Sequence, residues 1–117
     1  MSGNNHLTVK EKEALNKLIT GLKKLYGANL AGVILYGSKA RGDATRDSDI
    51  DIMVVLNGYT NQGEEFDRVS RLVYGVEEEY DYNLLISFII RKKEEHRARQ
   101  TPLLLNVRKE GVNLWTR

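Results

Sequence analysis

"LAGVILYGSKARGDATRDSDIDIMVVL", residues 30–56, holds two apolar runs joined by a polar loop. LAGVILY at 30–36 reads as a short buried strand, and DIDIMVVL at 49–56 as a second. Side chains alternate between the two faces of a strand. Ile50, Ile52, Val54 and Leu56 therefore share one face, which is core. Asp49, Asp51, Met53 and Val55 share the other, which begins with two carboxylates about 7 Å apart. At an effective dielectric near 20 such a pair repels by roughly 2–3 kcal/mol. A fold that carries this cost needs something positive between the two acids. Magnesium is the usual choice, because it takes hard oxygen ligands and leaves positions open for phosphates.

The loop between the strands supplies the complement. Gly37 lets the backbone pass close to a ligand. Ser38 offers a hydroxyl and a backbone N–H to a phosphate. A short helix opening at Lys39–Arg41 would favour an anion at its N-terminus. Arg41 adds a charge-assisted contact, and Gly42 allows a further tight turn. The bland alternative makes Asp49 a turn cap and pairs Asp51 with Arg41 or Arg46. Asp43 and Asp47 read as turn caps within the loop. Phosphates held by the loop and metals held by the strand would meet at one point, an arrangement that suits phosphoryl or nucleotidyl transfer.

Outward from this stretch, helix and strand signals alternate. Thr8 and Glu11 make a capping box with Leu7 as a staple. Leu15, Leu18, Ile19, Leu22, Leu25 and Tyr26 then follow helical spacing, so a helix covers about 8–26 and stops at Gly27. NGYTNQG at 57–63 is turn-rich. Phe66, Val69, Val73 and Val76 predict a helix over 63–79, with Glu77–Glu79 as its solvated end. A third strand is expected over 81–90. It would place Tyr82, Leu84, Ile86, Phe88 and Ile90 on one face, and Asp81 and Asn83 on the polar one. A charged helix near 92–100 follows. Its basic residues Arg91, Lys92, Lys93, Arg97 and Arg99 are interrupted by Glu94 and Glu95, which favours a solvated face over an RNA surface. Thr101 and Pro102 predict the N-cap and first position of a last helix. Gly111 ends it, and VNLW at 112–115 reads as an edge strand. Tyr26 and Trp115 read as core, and His96 as exposed.

Composition bounds the rest. The chain has 117 residues, which fits one domain at 7–117 behind a flexible N-terminus at 1–6. No linker, repeat or low-complexity tract divides it. With 41% hydrophobic and 29% charged residues it reads as an ordinary globular chain. It contains no cysteine, which excludes disulfides and thiolate metal sites, and its two histidines are too few for a His-rich site. A net charge of +2 gives no indication of general nucleic-acid binding. The apolar runs are shorter than the ~20 residues of a membrane span, and MSGNNHLTVK lacks a signal-peptide core, so a cytoplasmic location is expected.

The pattern Gly37-Ser38-x-x-Arg41-Gly42, then Ser48-Asp49-x-Asp51, resembles the nucleotidyltransferase superfamily typified by DNA polymerase beta and kanamycin nucleotidyltransferase. The short length resembles its minimal nucleotidyltransferase (MNT) branch. The resemblance implies an α/β (α+β) nucleotidyltransferase fold, a mixed β-sheet with helices packed on one face. It implies that Gly37 and Ser38, with Arg41 and Ser48, bind a triphosphate, and that Asp49 and Asp51 hold magnesium or manganese. A third carboxylate from a neighbouring strand completes the catalytic and metal set; Asp81 is the candidate, with Asn83 the alternative position. The implied reaction moves a nucleoside monophosphate, AMP from ATP, to a hydroxyl acceptor. That acceptor is expected on a partner protein, because members of this size pair as antitoxin with a HEPN-like helical toxin. A homodimer is the other way to complete the pocket. The alternative is a catalytically weak or inactive nucleotide-binding or protein-binding module.

Overall fold

The computed structural model describes residues 7–42, 49–98 and 101–117. Among these residues ten elements follow in order: α1 (Val9–Tyr26), a short 3₁₀ helix (Gly27–Asn29), β1 (Leu30–Tyr36), α2 (Ser38–Arg41), β2 (Ile50–Leu56), α3 (Gln62–Glu79), β3 (Ile86–Lys92), α4 (Lys93–Ala98), α5 (Pro102–Glu110) and β4 (Val112–Thr116). The expected flexible segment 1–6 lies outside the described residues. Among them, no helix is long and apolar enough to cross a membrane.

α1 starts where its capping box predicts. Glu11 N–H donates to Thr8 Oγ1 at 3.1 Å, and Thr8 N–H donates to Glu11 Oε1 at 2.9 Å. Such a cap stabilises a helix by about 1 kcal/mol. Leu7 is buried beside it. Ala14, Leu15, Leu18, Ile19 and Leu22 then form the apolar stripe that helical periodicity requires.

The sheet runs β3-β2-β1-β4. β1 pairs antiparallel with β2 and β4, whereas β2 and β3 are parallel. A parallel pair needs a crossover, and α3 provides it. Ile50, Ile52, Val54 and Leu56 pack with α1 and α3 in the main core. Met53 and Val55, on the other face, pack with Ile34 under Leu104 and Val107 of α5. α1 and α3 thus occupy one face of the sheet, and α5 adds a short cover to part of the other. That partial cover leaves Asp49 and Asp51 beyond the end of α5's apolar contacts.

β3 is an edge strand, and its unpaired side would be a template for unwanted pairing. α3 blocks it. Glu77 Oε2 accepts from Ile86 N–H at 2.9 Å, and Gln62 Nε2 donates to the Ile90 carbonyl at 3.1 Å. Phe66 stacks on Phe88 between them, with centroids 4.9 Å apart. Glu77 is therefore buried, not part of a solvated helix end. His96 also departs from expectation: it is half-buried, with Nδ1 enclosed, because α5's Arg108 reaches over to donate to its carbonyl.

α5 closes against β1 through Gly111. A Cβ there would lie 2.3 Å from the Val107 carbonyl oxygen and 2.8 Å from Ile34 Cγ2. Gly111→Ala is expected to cost roughly 1–3 kcal/mol by overpacking. A thermal melt reads this as a loss of several degrees, and an unchanged melting temperature would contradict the packing.

Candidate active site

The site forms where β1 ends and β2 begins. Tyr36, the last residue of β1, pairs with Asp51. The chain then turns at Gly37, with φ at 74° and ψ at −157°, a region essentially reserved for glycine. A Cβ on Gly37 would lie 2.4 Å from Asp51 Oδ2. The loop backbone therefore runs directly over the carboxylate. α2 follows as a single turn, in which the N–H groups of Ala40 and Arg41 both donate to the Gly37 carbonyl at 3.1 Å. The first N–H groups of a helix have no intrahelical acceptor and can meet an anion.

Asp49 is exposed just before β2, and Asp51 is half-buried within it. Ser87 of β3 donates from Oγ to Asp49 Oδ2 at 3.2 Å. Burial pushes the Asp51 carboxyl above the usual carboxylate range. The Asp49 charge adds to that rise, and Arg41 opposes it. The Tyr36 phenol is also pushed up, first by burial and then by Asp51, with Arg91 acting the other way. The protein alone thus holds its second negative charge here at a cost. A half-buried carboxylate whose ionisation is disfavoured, with a second carboxylate beside it, is a donor set that a hard divalent cation fits.

The expected site residues are distributed as follows. Gly37, Ser38, Arg41, Asp49 and Asp51 come together around the β1–β2 junction. Arg41 is also tied to Glu110 at the end of α5, N···O 3.4 Å. Ser48 and Arg46 lie outside the described residues. Asp81 requires a correction. β3 begins at Ile86, and Asp81 sits in the α3–β3 turn with φ at 53°. The turn is held by Tyr82 N–H to the Glu77 carbonyl at 2.9 Å and Asn83 N–H to the Tyr80 carbonyl at 3.0 Å. These bonds spend on α3 the backbone groups that a strand would need. Neither Asp81 nor Asn83 lies on a strand face beside Asp51. Among the described residues no three acidic, histidine or cysteine side chains gather into a metal-ligating group. The β3 residue in register with Asp51 is Ser87, and Met53 and Val55 face Ile89 and Arg91.

Two participants were not read from the sequence. Ser87 carries no motif and emerges only from the β2–β3 register. Lys39, inside the motif loop, is buried, with Nζ 2.7 Å from Glu11 Oε2. The basic residues from Arg91 to Arg97 do not form one face, and Arg99 lies outside the described residues. Arg91 bonds the Ile90 carbonyl at 2.8 Å and Lys92 lies 5.1 Å from the Tyr59 ring, while Lys93 and Arg97 are exposed on α4.

Comparison with known proteins agrees with this fold. A family profile described as nucleotidyltransferase domain matches residues 15–110. A candidate protein adenylyltransferase of Methanocaldococcus jannaschii is 43% identical over 47 residues, which span 40% of this chain and 47% of that protein. The match therefore covers less than half of that relative's length. The crystal structure of a candidate nucleotidyltransferase from Sulfolobus solfataricus aligns over 92% of this chain and 78% of its own, at 26% identity and TM-score 0.59. A chain in the structure of tri-AMPylated Shewanella oneidensis HEPN toxin in complex with MNT antitoxin aligns over 91% of this chain and 72% of its own, at 22% identity and TM-score 0.57, a likeness of fold.

Proposed function

This chain belongs to the nucleotidyltransferase domain family, an enzyme family, and from that premise we propose that it transfers AMP from ATP to a hydroxyl on a partner protein. The observation that carries the reading is the contact between the Gly37 loop and the Asp51 carboxylate. A phosphate seated on the loop necessarily lies beside the acids. Gly37 and Ser38 bind the triphosphate through backbone N–H groups and the serine hydroxyl. Arg41 adds charge to that seat. Asp49 and Asp51 would hold magnesium or manganese, which when bound supplies charge stabilisation at the reacting phosphate. Ser87 orients Asp49 through its hydroxyl. Asp81 is left out of this assignment, because it lies in the α3–β3 turn and not on β3.

The partner reading rests on exposure and on the family's company. Asp49 is exposed and Asp51 half-buried, so the chain offers a floor for the reaction with few walls. Sites for nucleotides bury most of the ligand. We assign the missing walls to a second protein, a HEPN-like helical chain or a second copy; a chain of like fold occurs in the solved complex of HEPN toxin with MNT antitoxin. One observation favours a second reading, a nucleotide-binding module with weak turnover: β3 presents Ser87, not an acid, opposite Asp51. A hydroxyl acceptor is a poor nucleophile without a base.

Two measurements separate these readings. ATP with magnesium, at one hundred times its dissociation constant, should add about 2.7 kcal/mol of stability, or about 10 °C in the melt. No shift would refute both. Labelled ATP with cell lysate should then mark a protein band under the first reading and none under the second. Should the wild type bind without transferring, Ser87→Asp is expected to create transfer.

A further inference from the structure

We infer that the buried Glu11–Lys39 ion pair positions the triphosphate loop, with α1 as its anchor. The inference rests on the nucleotide-transfer reading and extends it to two residues outside the motif's known signature. α2 is one turn long, between Gly37 and Gly42, both at positive φ. A helix this short has too few hydrogen bonds to hold itself. Something else must fix its rotation. Lys39 and Arg41 lie 200° apart around a helix, since each residue turns the chain by 100°. Lys39 reaches α1 through Glu11 at 2.7 Å, and Arg41 reaches α5 through Glu110 at 3.4 Å. The first tie is the firm one, its two side chains being only 7% and 11% exposed against 43% and 34% for the second. Glu11 is itself held, because its other oxygen accepts the Thr8 N–H. The capping box of α1 and the seat of Ser38 are therefore one connected structure.

The test replaces both charges, because removing one would strand the other in the interior. Glu11→Leu with Lys39→Met should fold, yet raise KM for ATP at least tenfold with kcat within about threefold; in a wild type that binds ATP without transferring it, the dissociation constant for ATP is read instead and should rise by the same factor. That split marks lost binding shared by ground and transition states. Glu11→Asp keeps both charges but draws the loop toward α1 and should raise KM in the same direction; it serves if the double variant fails to fold. Thr8→Ala breaks the cap and leaves the ion pair. It should lower the melting temperature without moving KM. Wild-type KM in the double variant, or in Glu11→Asp, would overturn the inference and leave the pair a folding element. A wild type that neither binds nor transfers ATP would overturn the nucleotide reading itself, and this outcome shows in the wild type alone.

Discussion

Asp51→Asn is expected to reduce nucleotide transfer at least a hundredfold while melting no lower than the wild type. Loss of one carboxylate from the proposed metal pair removes several kcal/mol of charge stabilisation, and each 1.36 kcal/mol is a factor of ten in rate. The stability half of the expectation comes from Asp51 alone. Its carboxyl is pushed up by burial and by Asp49, so the folded state binds its proton more tightly than the unfolded state. The contribution of such a group is fully present below the unfolded pKa. It is lost as pH rises through the folded one. Asparagine does not titrate. The melting temperature of Asp51→Asn minus that of wild type should therefore grow across the acid range, from the ordinary carboxylate pKa to the raised one, and stay level at neutral pH. Asp51→Asn that unfolds at neutral pH would make the residue structural and remove the main support for the site.

Much of this was legible in the sequence, for reasons that differ by element. β1 and β2 are bounded by polar residues and alternate cleanly, so Leu30–Tyr36 and Ile50–Leu56 fall where expected, with the acids on the outer face. Thr8, Glu11, Thr101 and Pro102 mark helix starts because capping is a local interaction. β3 was misread at its start because Tyr82 and Leu84 extend the apolar alternation of the strand. Local hydrogen bonds back to α3 outweigh that pattern and put Asp81 and Tyr82 at positive φ. Glu77, Ser87 and the Lys39–Glu11 pair were illegible for another reason. Their roles depend on partners brought together by the sheet and the helix layer, at separations no local pattern encodes. Lys39 in particular looks like any loop lysine until α1 is laid against it.

Gly37→Ala is expected to match Asp51→Asn in lost transfer and, unlike it, to weaken the fold. Two costs combine. An alanine at φ 74° and ψ −157° is strained by about 1–3 kcal/mol. Its Cβ would also stand 2.4 Å from Asp51 Oδ2 and 3.2 Å from Asp51 Cγ. Asp51 is too short to bend away, so either the carboxylate leaves the site or the loop lifts off it. Both destroy the juxtaposition on which the proposed chemistry depends. A double-mutant cycle separates the costs. In an Asp51→Ala background the carboxylate is gone, and Gly37→Ala should cost only its backbone strain. The coupling should exceed 0.5 kcal/mol, as expected for residues in contact. Transfer, already abolished by Asp51→Ala, should fall no further. Full activity in Gly37→Ala, or additive stabilities in the cycle, would mean that the loop does not rest on Asp51. Phosphate seat and acids would then be separate features, and the transferase reading would lose the contact that joins them.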